Sequence, residues 1–256
     1  MSMWGKSATW LLILALAPLA KAEWADSRKA GPFICRANFQ LDGYEPLLAQ
    51  LGELQNDLTR ILGIPPADEL IEIYLFSDEK VYRDYFRRHL PNLPYRRALY
   101  IKQNGPGRVF AYRGSHLPVD LRHECTHALL HARLPMVPLW LDEGLAKYFE
   151  LPPSRRALAN PFLKSVRWNA RFGMAPRLEN LEKEGDFSKM SRTDYRDAWA
   201  WTHFMLHGPP EAHDELVRYL ASIRASSPPG LLSQRLERRL PDLKRQFLRH
   251  FKTWEP

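Results

Sequence analysis

The chain has 256 residues, 45% of them hydrophobic and 26% charged, which excludes a disordered tail protein or a fibrous repeat. Two cysteines, Cys35 and Cys125, are too few for a disulfide-stapled secreted scaffold or a four-cysteine zinc ribbon. A formal charge of +8 is moderate, so its placement decides what it means.

The first segment predicts export. Lys6 precedes an apolar run from Trp10 to Ala20, and Ala20-Lys21-Ala22 follows as a small-x-small site. That combination reads as a secretory signal peptide over residues 1–22, with the mature domain in 23–256. The apolar run is about half of the roughly 20 residues that a membrane-spanning helix requires. The expected location is therefore periplasmic or extracellular, with no stable membrane insertion once the leader is removed.

Phe33 to Gln40 alternates, placing Phe33, Cys35, Ala37 and Phe39 on one side, and predicts a strand. Leu47, Leu51, Leu54, Leu58 and Ile61 then recur at helical spacing up to Gly63. Leu70 to Phe76 predicts a second strand, and Ser77 is placed to cap the helix that carries Val81, Tyr82, Tyr85 and Phe86. Ala98–Lys102 and Arg108–Arg113 flank Asn104-Gly105-Pro106-Gly107 and predict a hairpin. From Pro118 onward the pattern is helical: about 119–133, 139–150, 160–171, 192–207 and 211–224, then one or two more helices to Trp254. Strands followed by helices, without strict alternation, argue an α+β architecture: a small N-terminal sheet with helices in 23–133 and a helical part in 134–256. Near the C-terminus Arg235, Arg238, Arg239, Lys244, Arg245, Arg249 and Lys252 alternate with leucines, the pattern of solvated faces on amphipathic helices. With an exported location, that spacing speaks against a nucleic-acid partner.

His123-Glu124-Cys125-Thr126-His127 is an HExxH string inside the helix predicted over 119–133. Two histidines four apart on a helix point the same way and can share one metal ion. Glu124 stands beside them, placed to hold and deprotonate a metal-bound water. Cys125 is about 200° round the helix from His123 and faces away from them. A catalytic zinc needs a third protein ligand and one open position. His131 continues the stripe but stands about 12 Å along the axis from His123, too far to share an ion bound at about 2 Å. Glu143 fits better. It lies in Trp140-Leu141-Asp142-Glu143-Gly144-Leu145-Ala146, at the start of the next helix, and the Pro135–Pro138 loop lets that helix fold back onto the HExxH face.

HExxH followed by this W-L-D-E-G-L-A string resembles the gluzincin metallopeptidases, a group that includes thermolysin, and especially the membrane-alanyl aminopeptidases with their W-L-N-E-G stretch. It is similar still more closely to bacterial proteins of the peptidase-MA-like superfamily, with HExTHxLLH followed by W-L-x-E-G-L-A-x-Y. The resemblance is specific over residues 97–150 and weaker to about 207. It implies a zincin-like fold with the cleft between the sheet-containing and helical parts and a mixed sheet. It implies one Zn²⁺ held by His123, His127 and Glu143, with Glu124 as general base. Asp142 stands where the aminopeptidases have asparagine and receives no catalytic role. Tyr195-Arg196-Asp197-Ala198-Trp199-Ala200 resembles the aminopeptidases' Y-x-K-G-A stretch, which implies that Tyr195 donates to the oxyanion; His203, two turns on, is a second donor. By the same analogy Arg108–Tyr112 is the edge strand bordering the cleft, with Val109, Phe110 and Ala111 pairing the substrate backbone. The implied activity is an exported zinc peptidase acting on a peptide or protein. A silent binding module on the same fold and a zinc hydrolase of non-peptide amides are the competing functions.

Overall fold

Five strands make one mixed sheet, in the order β1-β2-β3-β5-β4, in the computed structural model, which describes residues 24–103 and 105–255. The leader expected over residues 1–22 lies outside the described residues. Strands β1 (Asp26–Ala30) and β2 (Phe33–Ala37) form an antiparallel hairpin turned at Gly31, whose φ of 57° suits glycine. Strands β2, β3 (Ile71–Phe76) and β5 (Arg108–Tyr112) run parallel, and β4 (Ala98–Ile101) pairs antiparallel with β5 on the outside.

Each face of this sheet has its own apolar layer. Ile71, Ile73 and Leu75 of β3 join Phe33, Cys35, Val109 and Ala111 in the main core, against α1 (Glu45–Leu62) and α3 (Leu117–Arg133). Tyr74, Phe76 and Phe110 point the other way, onto Tyr82, Tyr85 and Phe86 of α2 (Glu79–His89). Period-two alternation with both faces covered explains why β3 reads as an almost unbroken apolar run. Helix α1 ends at Gly63 in the left-handed region (φ 66°), and its amide bonds back to the Thr59 carbonyl. The cap of α2 is Asp78, which accepts from the Val81 amide at 2.9 Å; Ser77, the expected cap, donates its hydroxyl to Asp78 instead.

The second half is helical, in α4 (Leu139–Phe149), α5 (Leu163–Arg171), α6 (Leu178–Lys183), α7 (Arg192–His207), α8 (Pro210–Arg224), α9 (Leu232–Arg239) and α10 (Leu243–Thr253). The architecture is thus α+β, a mixed sheet followed by a helical half. Both cysteines are buried free thiols. No described helix is long and apolar enough to cross a membrane.

Helix α4 meets α7 at Gly144, and the closeness of that crossing sets the geometry of the cleft. A Cβ at Gly144 would collide with the Thr202 hydroxyl and lie 2.7 Å from the Ala198 carbonyl oxygen. The glycine beside Glu143 is therefore a packing requirement: only the absent side chain lets α7 lie this close. Gly144→Ala is expected to destabilise the fold by about 1–3 kcal/mol, the usual cost of overpacking, and to push α7 away from Glu143. Urea unfolding measures this, and an unchanged midpoint would contradict the tight crossing.

Candidate metal centre

Helix α3 brings His123 and His127 one turn apart, with their Nε2 atoms 3.2 Å from each other and the rings nearly perpendicular at 79°. The second turn of α4 adds Glu143, whose Oε2 is 3.5 Å from His123 Nε2 and whose Oε1 is 3.7 Å from His127 Nε2. These three donors lie within 4.8 Å of one another. Tetrahedral zinc with bonds of 2.0–2.2 Å separates its ligand atoms by about 3.3–3.6 Å, so the set fits a zinc ion.

Each outward ring nitrogen faces a carboxylate. Glu150 Oε2 lies 3.1 Å from His123 Nδ1 and accepts from Lys147 Nζ at 2.9 Å. Asp142 Oδ1 lies 3.0 Å from His127 Nδ1, a charge contact without aligned hydrogen-bond geometry, and Asp142 Oδ2 lies 2.9 Å from His131 Nε2. A carboxylate on Nδ1 orients the ring and leaves the Nε2 lone pair facing the metal position. Burial pulls the His123 pKa down, and Glu143 and Glu150 more than offset it, raising it to about 10. Glu143 behaves inversely: burial raises its pKa, and the two histidines bring it below the ordinary carboxylate value. The pocket thus favours positive charge among these groups, which a divalent cation supplies while displacing protons.

Glu124 lines the same cleft, of about 900 Å³, and its Oε2 accepts from the Tyr100 amide at 2.8 Å. That amide belongs to β4, so Tyr100 directs its backbone polar groups to the free edge of the sheet, and Ala98, two residues earlier, does the same. Tyr195, at the end of the first turn of α7, also lines the cleft. Burial and then the negative charge of Glu143 push its phenol up to about 12, so it stays a proton donor at neutral pH.

Two expectations are corrected. Val109, Phe110 and Ala111 do not lie on an edge strand: β5 sits between β3 and β4, and these residues are 0%, 2% and 1% exposed. The hairpin is visible in the sequence, but which of its arms joins β3 depends on parallel pairing across a long crossover. The edge strand at the cleft is β4, Ala98–Ile101. His203 is likewise not at the cleft. It is fully buried, with Nε2 donating to the Ala157 carbonyl at 3.0 Å and Nδ1 3.0 Å from His250 Nε2.

His131 does not join His123; it pairs with Asp142 and stacks on Tyr100, with ring centroids 5.8 Å apart. With His127 and Asp142 it forms a second close group of donors. Glu150, Lys147 and the pairing role of Asp142 were missed from sequence. Glu150 carried a signal, since it follows Glu143 by two helical turns and so shares its face.

A family model described as "Protein of unknown function (DUF1570)" matches residues 119–229, less than half of the chain but including α4, α7 and most of α3. No curated protein matches. Among solved structures, the M1 zinc metallopeptidase from Deinococcus radiodurans is similar with a TM-score of 0.51 at 17% identity, covering 90% of this chain and 52% of that one. A mutant of the same enzyme gives a TM-score of 0.50 at 16% identity, with the same coverage. The chain spans about half the length of these structures. At such identities the likeness establishes the fold, which is zincin-like.

Proposed function

We propose that this chain is a zinc-dependent peptidase, exported by its N-terminal segment, with His123, His127 and Glu143 holding one zinc ion. The observation that carries the reading is the convergence of two imidazole Nε2 atoms and one carboxylate in an open cleft, with Glu124 beside them. The likeness in fold to a zinc metallopeptidase supports it.

A bound zinc would supply a Lewis acid that acidifies water and polarises a carbonyl. The protein's residues do the rest. The free edge of β4 offers the backbone groups of Ala98 and the carbonyl of Tyr100 to an extended peptide, the Tyr100 amide being taken by Glu124. Glu124, held against that edge by the Tyr100 amide, accepts the proton of the attacking water and returns it to the leaving amine. Tyr195 donates its hydroxyl to the oxygen that becomes negative as the peptide carbon turns tetrahedral. Asp142 and Glu150 keep the two imidazoles oriented throughout.

A peptide-library digest with zinc, with chelator and with zinc restored tests the reading. Cleavage that chelation abolishes and zinc restores is expected, and cleavage indifferent to chelator, or none with zinc present, contradicts it. Tyr195→Phe tests the oxyanion role. Because the bond strengthens in the transition state, kcat should fall by about 10²–10³ while KM changes little. A kcat within a few-fold of wild type would return Tyr195 to a packing role against Phe187, whose ring is 6.4 Å away.

A further inference from the structure

The carboxylates lining the cleft are all engaged. Glu143 lies between the two histidines, Asp142 bonds His131, and Glu150 holds His123 and Lys147. Glu124 takes the Tyr100 amide, and Asp120 accepts from Arg97 at 2.9 Å. Recognition of a substrate amine would call for an uncommitted carboxylate, and the described cleft residues offer none. Two cleft guanidiniums stand in the opposite situation. Among the described residues, no carboxylate comes within 4.0 Å of Arg96 or Arg192, although Arg97 and the neighbouring Arg196 are both paired.

Neither guanidinium is neutralised by a described carboxylate where it sits. Arg96, just before β4, rests with its guanidinium carbon 4.1 Å from the centroid of Phe187, and it lies beside the Tyr195 hydroxyl. An aromatic seat of this kind fixes the guanidinium plane without neutralising its charge. Arg192 occupies the first turn of α7, three residues before Tyr195, where a cation meets the positive end of the helix dipole. Both line the cleft that holds the metal-ligand set, and the guanidinium fork matches a carboxylate in shape and charge.

We infer that Arg96 and Arg192 form an anion subsite of this cleft, taking a substrate carboxylate: an Asp or Glu side chain, or the free C-terminus of a peptide. The identification of the ligand as part of a peptide rests on the peptidase reading; the carboxylate recognition does not.

The test is binding, read by calorimetry on zinc-loaded Glu124→Gln protein so that turnover does not intervene. The probes are the blocked tripeptides acetyl-Ala-Glu-Ala-amide, acetyl-Ala-Gln-Ala-amide and acetyl-Ala-Ala-Ala-amide, with acetyl-Ala-Ala-Ala bearing a free C-terminus. The Glu probe should bind at least about tenfold tighter than its Gln counterpart, or the free C-terminus at least tenfold tighter than its amide, and which pair differs names the source. Adding Arg96→Gln and Arg192→Gln together should erase the preference, and Arg96→Lys with Arg192→Lys should restore part of it. The same affinity for charged and neutral probes, a preference that survives both Gln substitutions, or no binding at millimolar concentration would overturn the inference. Carboxylate-selective binding without chelator-sensitive cleavage by the wild type would leave the subsite standing and remove the peptidase reading. Cleavage without carboxylate preference would do the reverse.

Discussion

Glu124→Gln is expected to lower kcat by about 10²–10⁴, or more, while zinc content stays at the wild-type level. The substitution keeps the shape of the side chain and its ability to accept from the Tyr100 amide, a bond of 2.8 Å in the wild type, and removes only basicity. Because Glu124 is not among the three converging donors, the metal position should not change. Metal analysis beside steady-state kinetics separates the two effects. Turnover near wild type would eliminate Glu124 as the base, and loss of zinc would make it a ligand or a structural support instead.

Glu143→Ala carries the second large effect. With two imidazoles left, zinc affinity should fall well beyond the 10–100-fold typical of losing a residue that only orients a ligand, and chelator-sensitive activity should vanish with it. Glu150→Gln provides that milder comparison, since Glu150 contacts His123 Nδ1 and not the metal position. It should cost about 10–100-fold in affinity. Titration against a competing chromophoric chelator orders the two variants. Equal losses, or a larger one for Glu150→Gln, would contradict the ligand assignment.

The HExxH helix and the α4 start were legible because both obey local rules: helical spacing aligns His123 with His127, and a short Pro-flanked loop turns α4 back onto them. Helix α1 was legible for the same reason, although Leu48 and Leu62 are buried where Leu47 and Ile61, the ends of the expected stripe, are only partly so. Strand β1 escaped because Asp26-Ser27-Arg28-Lys29-Ala30 has no apolar alternation and lies at a half-exposed sheet edge. Helix α6 escaped because six residues hold too few repeats of the period. The edge identity of β4 and the displacement of His203 from the cleft were decided by non-local packing. Gly144 shows the intermediate case. It stands in a string read for Glu143 alone, yet its own reason, the close passage of Ala198 and Thr202, appears only once α7 is in place.

Where the metal sits is the central claim, and anomalous diffraction at the zinc edge from zinc-loaded crystals tests it most directly. The account predicts one strong peak bounded by His123 Nε2, His127 Nε2 and the Glu143 carboxylate, the three donors that already converge. A peak instead within the second group, His127, His131 and Asp142, or no ordered zinc in the cleft, would contradict it.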